Sequence, residues 1–591
     1  MLKKFTISSS APREHAVTRF HHRSEVFTAL QDCEIKMENG LINRYKIMQV
    51  TINRELSIKT LQMQRQSMGL KCLCHLSGSW FSSPIERNDY VYVRGPIGDD
   101  GSFIIDDDNG LIILKPDVMI PVGSLSSSLT CLRKSWLNRI FGSKTDPGSK
   151  IYSIMGMIVH DVFQIACLKG PKTIQELEAI HSICLNRDKI KKECEKLGLE
   201  GSKELIAKHV TPYLPSILEF LETLETVKGG PKIQVIDIED SLWCQLLALV
   251  GRPDLTCKIL PRTRSQTRPK FAPLELKTGT SSRFNSREHK LQTILYTIMM
   301  KELGYGDCDE GLILYLKKRV SGKPLFQPEM VSVQVDRNME MEAIQKRNEL
   351  VHFLDLNRRE GLKGPQLINS KEIDKCKYCK QSLTCSIVAS SLENRDIGSL
   401  DKDRKEFIRS QFKMNNITVP NLVSFKREIL PIADKIKRID SSMDESILFW
   451  EETSFQREMK GLGLGGLVII KVITPDNVFS STIILKKPYS PSPNAGFHQL
   501  FPQIGRSLKG KRVAISEDNF ECETETARVA LLTGFITSVD ESEVKVELPK
   551  IVNNPKDTIY RLDLLGNRDE KFLELQSCFS KFFESPSSVS R

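Results

Sequence analysis

Apolar and polar positions alternate with a period of two in the first and last fifths of the chain, and with a helical period through most of the stretch between. In the first zone residues 45–52 and 90–94 alternate, and 111–114 form a short apolar run. Turn clusters at 98–101 and 107–110, rich in Gly, Asp and Asn, punctuate them. Short strands at this spacing predict a small β-barrel over 43–124. In the last zone 466–473, 481–486, 511–516 and 543–548 read as strands, with a Pro/Ser-rich loop at 488–493, and a second barrel is expected over 461–591. Between the barrels, helices are predicted over 151–168, about 173–196, from 215 onward, 286–303 and 338–356. Strands are predicted over 231–239, 273–278 and 312–317. On the 286–303 helix, which Gly304 stops, His289, Gln292 and Tyr296 share one face. Leu291, Ile294, Leu295 and Ile298 turn to the core. The pattern predicts an α/β body over 125–395, then a charged helical stalk over 396–460.

Two charges interrupt the apolar run Pro273-Leu274-Glu275-Leu276-Lys277-Thr278. Alternate strand residues share a face, so Glu275 and Lys277 point the same way. Eighteen residues separate Glu275 from the segment Gly251-Arg252-Pro253-Asp254-Leu255-Thr256 upstream. Two carboxylates brought together bind a hard divalent cation through oxygen. Such a metal polarises a phosphate oxygen and lowers the pKa of a bound water. A nearby ammonium orients that water or stabilises developing negative charge. The pattern therefore suggests metal-assisted phosphodiester hydrolysis; two half-buried strands with surface charges are the bland alternative. The residues between Asp254 and Glu275 carry Lys258, Arg262, Arg264, Arg268 and Lys270 and no acid. A basic hairpin beside a metal site is a candidate phosphate guide; a solvated charged loop is the other reading.

Cysteine usage adds a second centre. Cys376-Lys377-Tyr378-Cys379 is followed by Cys385, a C-x2-C-x5-C cluster in a charged stretch. Fifteen cysteines in 591 residues, neither dense nor regularly paired, argue against a disulfide framework and for a reducing compartment. Three close thiols ligate a soft metal, and a four-cysteine site needs one more. Cys131 is a distant candidate for the fourth. Spacing alone does not separate zinc from iron–sulfur. Cys167, Cys244 and Cys257 sit in apolar contexts and read as core.

Net charge is +11, from 85 Lys+Arg against 74 Asp+Glu, which favours a polyanionic partner. No run of about eighteen apolar residues stands out, so no membrane span is expected. The tail over 1–42 is basic: Lys3, Lys4, Arg13, Arg19 and Arg23 face only Glu14 and Glu25 in its first thirty residues. A mitochondrial presequence has that composition, and so does a disordered basic tail. The segment Gly505–Lys511 fits G-x4-G-K, but Arg512 stands where a phosphate-binding loop needs Ser or Thr, and 513–515 read as a strand rather than a helix. A barrel turn is expected there.

These motifs occur together, in order, in one known family. One Cys ahead of the acidic motifs and three behind them resemble the iron–sulfur staple of RecB-like PD-(D/E)xK nucleases. Residues 156–164, with His160, resemble that family's early helix, and 288–296 resemble its Q-x-x-x-Y helix. The segments around Cys131, Glu275–Gly279, 311–317 and 375–379 narrow the likeness to the nuclease half of the eukaryotic replication nuclease–helicases, along about 43–583. The resemblance implies a RecB-like core flanked by an N-terminal OB-like barrel and a C-terminal small barrel. It implies that Asp254 and Glu275 ligate Mg²⁺ or Mn²⁺, that His160 adds a ligand, and that Lys277 assists the water. Gln292 and Tyr296 would position DNA or the lysine, and Cys131, Cys376, Cys379 and Cys385 would hold a [4Fe–4S] cluster. The implied activity is cleavage of single-stranded DNA at 5′ flaps in lagging-strand maturation and at resected ends, with replication protein A as partner. A nuclear location is implied, with the mitochondrion as the alternative. The family's motor is expected to be absent from this chain. A non-catalytic single-strand-binding scaffold and a stand-alone RecB-like exonuclease are the rival readings.

Overall fold

The structure is a computed structural model that describes residues 43–565, apart from 66–70, 143–146, 197–201, 227–231, 261–268, 279–285, 317–328, 369, 394–399, 439–451, 474–479, 488–507, 519–531, 541–542 and 550–558. It is a mixed α/β molecule with a barrel-like sheet at one end of the described chain and a closed barrel at the other.

The first unit is a six-stranded sheet. Its spatial order is Phe103–Ile105, Lys71–Leu76, Ile58–Arg65, Asn43–Asn53, Tyr90–Arg94, Leu111–Leu114. The sheet curls. Ile104 N on one edge donates to the Pro96 carbonyl at 3.0 Å, just past the Tyr90–Arg94 strand. Curling wraps Ile47, Leu61, Met63, Val91, Val93 and Trp80 into a dry interior. Trp80 is thus a core residue, while Phe81, Tyr90 and Tyr92 are half-buried.

The long Arg337–Glu360 helix fastens this unit to the body, capped by Asp336, whose side chain accepts from Met339 N. Arg347, fully buried on that helix, donates to the carbonyls of Leu114, Lys115 (2.9 Å) and Val118 (2.8 Å). Asn348 beside it takes Leu114 N and gives to the Ile112 carbonyl, at 2.9 and 2.7 Å. The last strand of the first sheet is therefore hydrogen-bonded by side chains of the body. Arg94 adds a two-pronged ion pair with Glu302, 2.8 Å on each oxygen. A single hydrophobic core runs through both units.

The body is built on a five-stranded sheet ordered Glu329–Gln334, Glu310–Leu316, Lys270–Thr278, Leu255–Leu260, Lys232–Ile238. Only Lys270–Thr278 and Glu310–Leu316 run parallel, and the Ser286–Glu302 helix makes the crossover that parallel pairing requires. Side-chain alternation assigns the faces. Leu274, Leu276, Leu312 and Leu314 lie under the Pro147–Lys169 helix with Ile158 and Val162. Ile313 and Tyr315 lie on the opposite face with Leu291, Leu295 and Met299 of the crossover helix. Within Pro147–Lys169, Ile151–Lys169 is long and apolar enough to cross a membrane by composition, but half of it is buried as the cover of this sheet.

The stalk region contains the helices Lys402–Met414, Val419–Arg438 and Ser454–Met459. The closed barrel follows, with strands Gly463–Ile473, Ser481–Lys486, Glu543–Leu548, Leu532–Val539, Arg512–Glu517 and Tyr560–Leu564 paired in that circular order. Buried Asp563 receives Arg561 (2.7 and 2.9 Å) and Arg457 (3.0 Å), which ties the Ser454–Met459 helix to the barrel wall. Lys511 leads directly into the Arg512–Glu517 strand and its backbone N bonds to the Leu508 carbonyl, so this end of the G-x4-G-K segment is a barrel turn.

Several elements differ from expectation. The helix expected over about 173–196 is two, Ile174–Leu185 and Asp188–Lys196, because Asn186 caps the first by donating back to the Ser182 carbonyl. The Glu329–Gln334 edge strand and the Leu532–Val539 and Tyr560–Leu564 barrel strands were not visible as alternation.

Candidate active site and cysteine pocket

The acidic motifs meet at one end of the central sheet. Asp254 immediately precedes the Leu255–Leu260 strand, whose partner is Lys270–Thr278. This pairing brings Asp254 beside Leu276: Asp254 Oδ2 accepts from Leu276 N at 2.7 Å. Its other oxygen, Oδ1, accepts from His160 Nδ1 (2.8 Å) and Gln164 Nε2 (3.3 Å), which lie one turn apart on the Pro147–Lys169 helix. Glu275 and Lys277 share a face, as the two-residue period requires, and Lys277 Nζ sits 2.7 Å from Glu275 Oε1. The crossover helix supplies the rest. Gln292 Nε2 donates to Glu275 Oε1 at 2.7 Å, and Gln292 Oε1 accepts from Lys277 Nζ at 2.9 Å. Tyr296, one turn on, has its hydroxyl 3.2 Å from Gln292 Nε2. The tyrosine ring lies against Gly251, where a β-carbon would stand 2.5 Å from Cε1, so only glycine leaves room for it.

The electrostatics follow from burial. Glu275 is 5% exposed; loss of water and the charge of Asp254 push its carboxyl up to about 7, against the pull of Lys277 and His160. Asp254 is also desolvated, yet His160 and the Leu276 amide outweigh that and hold its pKa below the ordinary value. Burial works against the charge on His160, but Asp254 and then Glu275 overcome it and raise its pKa. Burial and Lys277 depress His289 to about 4, so the imidazole that meets the Tyr315 hydroxyl at 3.1 Å is neutral near pH 7. Two buried carboxylates and a half-buried imidazole are ligand types that hard divalent cations take. Among the described residues no three His, Cys, Asp or Glu side chains are closed into a coordination group, and Asp254 spends its Oδ1 on His160.

Sequence reasoning missed three members of this site. Gln164 bridges Asp254 and Glu239, with 2.7 Å to Glu239 Oε1. Arg252 Nη1 is 3.1 Å from Glu239 Oε2. The i,i+4 relation to His160 was the available signal for Gln164. Arg252 sits inside the Asp254 motif, and Glu239 closes the Lys232–Ile238 strand with no signal of its own. The basic insertion gives less than expected. Lys258 lies about 13 Å along its strand from Asp254 at ordinary rise, over the Phe271 ring. Lys270 pairs with Asp309 at 3.0 Å. Neither reaches the carboxylates, and Arg262, Arg264 and Arg268 lie outside the described residues.

The four cysteines meet in one place. Cys131 caps the Leu132–Phe141 helix, Cys376 lies in the short Asp374–Lys377 helix with Cys379 just beyond, and Cys385 is in the Ser382–Ser391 helix. All four line a single pocket with Leu137, Ile373 and Phe407. Burial, then the neighbouring thiols, push Cys376 up to about 11; burial raises Cys131 and Cys379 as well. A soft metal centre would have to take these thiols as thiolates. Arg133, 1% exposed, donates from Nε to Cys385 Sγ at 3.1 Å and pairs with Glu393 at 2.7 and 3.0 Å. The pocket is wired to the other centre: Thr130 Oγ1 and Lys134 Nζ, flanking Cys131, both bond Glu288 in the first turn of the crossover helix.

A family model described as DNA replication factor Dna2 matches residues 65–259, which include Cys131, His160 and Asp254. The cattle protein named DNA replication ATP-dependent helicase/nuclease DNA2 is 26% identical over 567 residues, 90% of this chain and 50% of that protein. The human protein of the same name is 26% identical over 89% of this chain and 50% of its own length. The fission yeast (Schizosaccharomyces pombe) counterpart is 26% identical over 322 residues, 52% of this chain and 21% of its own. The chain thus spans about half the length of the animal relatives it matches. By the family model over residues 65–259 and by pairwise likeness along about nine-tenths of its length, the chain is similar to the nuclease-bearing half of the DNA2 replication helicase/nucleases.

Proposed function

We propose that this chain is a divalent-metal-dependent nuclease of the PD-(D/E)xK type that cuts single-stranded DNA, preferably at 5′ flaps. The convergence of Asp254, Glu275 and Lys277 with His160 and Gln292 at one sheet end carries the reading. A Mg²⁺ or Mn²⁺ ion held by Asp254 and Glu275, with His160 as a further ligand, would polarise the scissile phosphate and acidify a bound water. Lys277 holds its ammonium against Glu275, where it can orient that water or meet charge developing on the phosphate. Gln292 bonds both Glu275 and Lys277, fixing their separation, and Tyr296 buttresses Gln292. The fixed geometry matters because small displacements of reacting groups are costly to rate.

Cys131, Cys376, Cys379 and Cys385 are the ligands we assign to a [4Fe–4S] cluster, whose role is to staple the two ends of the body. The names of the relatives support work in DNA replication, hence flap removal during lagging-strand maturation, trimming of resected ends, replication protein A as a partner, and a nuclear location. The decisive assay is cleavage of a labelled 5′-flap oligonucleotide with Mg²⁺, beside binding in EDTA. Glu275→Ala should lose most of its cleavage, on the order of 10²-fold or more, while single-strand affinity is kept. Cleavage equal to the parent's would leave a single-strand-binding scaffold as the function.

A further inference from the structure

Glu239 is held in a way that its position at a strand end does not require. Its backbone lies in the left-handed region, φ +48°, which non-glycine residues rarely adopt. Its amide donates to the Asp254 carbonyl at 3.1 Å. Its two carboxylate oxygens divide their work: Oε1 accepts from Gln164, which also bonds Asp254, and Oε2 accepts from Arg252. A relay therefore runs Arg252–Glu239–Gln164–Asp254–His160. Strained backbone that surrounding contacts enforce tends to mark a working site.

Arg252 is the open end of that relay. It precedes Pro253, which favours an extended backbone at Arg252, and it stands two residues before Asp254. Its side chain is 40% exposed, while Asp254 is 8% exposed. Beside it runs a shallow seam, bounded on the body side by Glu239, Ser241 and Arg252 and on the barrel side by Leu532, Thr533, Leu548 and Pro549. An exposed guanidinium tethered by one monodentate ion pair gives up little when it exchanges carboxylate for phosphate, and phosphate suits its forked donors better.

We infer that Arg252 is a phosphate-contact residue for a single strand entering the site, and that Glu239 is a positioning residue that parks Arg252 and sets Gln164 and Asp254. This rests on the nuclease reading above. In the strand-free state Glu239 keeps the guanidinium at the mouth; on strand binding the guanidinium turns to a phosphodiester, and Gln164 keeps Glu239 in place. The sugar–phosphate chain is recognised here, not the bases.

The test is equilibrium binding of a labelled single-stranded oligodeoxynucleotide in EDTA across a range of salt, with Mg²⁺-dependent cleavage read separately. Arg252→Ala should weaken binding alike for different sequences and lower the magnitude of the salt slope by about 0.7, the value of one phosphate contact on a single strand. Glu239→Gln, which frees the guanidinium, should bind at least as tightly as the parent yet cleave more slowly. Glu239→Gly relieves the backbone strain, so it should melt no lower than the parent while cutting more slowly. A salt slope unchanged in Arg252→Ala overturns the phosphate role. Glu239→Gly that melts lower and cuts normally makes the pair a mere structural brace and overturns the positioning role. The two levels separate: if Glu275→Ala cuts like the parent, the nuclease reading fails whatever the slope. If Glu275→Ala is dead and the slope is unmoved, only the present inference fails.

Discussion

Glu275 is a carboxylate whose charge its surroundings oppose. Its folded pKa is raised to about 7, by burial and by Asp254. A raised acid contributes stability that is full below its unfolded pKa and is lost as pH rises through the folded one. The window is therefore from about 4.5 to about 7. In EDTA the protein should lose this contribution between pH 5 and pH 8, and Glu275→Gln should melt higher than the parent at pH 8 with a flatter pH profile. Thermal melts at both pH values check it; parallel profiles would contradict it. A second residue-scale prediction concerns Gly251. Its substitution by Ala forces the Tyr296 ring away and should cost about 1–3 kcal/mol in urea unfolding, with cleavage falling as Gln292 loses its support. At this scale Glu275 and Lys277 were legible because a strand period leaves them no choice of face. Glu239 was not, because a left-handed backbone at a glutamate is imposed by contacts from Gln164 and Arg252 on other segments.

Among elements, the Arg337–Glu360 helix bears the most on assembly. Arg347→Ala would take the guanidinium from the carbonyls of Leu114, Lys115 and Val118, of which Lys115 alone keeps a backbone donor, Val118 N at 3.0 Å. At roughly 1–3 kcal/mol for each of the two groups left unsatisfied, the variant should lose about 2 kcal/mol or more. Limited proteolysis should then cut first in the 43–121 unit. Proteolysis indistinguishable from the parent's would show that the shared hydrophobic core holds the two units without the clamp. The Leu532–Val539 strand shows why some elements escaped the sequence. Gly534 breaks its alternation, yet a β-carbon there would meet the Glu547 carbonyl at 2.4 Å, so the neighbour strand demands the glycine. A requirement set by a partner strand has no mark in the local pattern. The crossover helix was the opposite case: apolar positions at helical spacing and Gly304 at its end fixed its face and length.

Across the whole molecule the two centres are linked through Glu288, which bonds Thr130 and Lys134 beside Cys131 and stands on the helix that carries Gln292. The cysteine pocket joins residue 131 to residues 376–385, so a cluster there closes a loop of about 250 residues. Protein purified without oxygen should be brown and contain iron, and Cys379→Ala should bleach it and raise protease sensitivity. A colourless protein with stoichiometric zinc would contradict the iron assignment while keeping the ligands. Convergence of the four thiols was foreseen only through the family resemblance, since spacing connected three and offered Cys131 only as a distant candidate. The seam between the body and the closed barrel was not foreseen, because each side of it reads as ordinary surface in sequence.

The central claim is that the Asp254–Glu275–Lys277 end of the sheet cleaves DNA. Single-turnover cleavage of a labelled 5′-flap substrate, with enzyme in saturating excess over the DNA and Mg²⁺ saturating, isolates the chemical step. Lys277→Ala removes an ammonium that repels the cation, so the metal should bind at least as well, and saturation keeps the DNA bound. The cleavage rate should nonetheless fall on the order of 10²-fold. A rate equal to the parent's under those conditions would contradict the account.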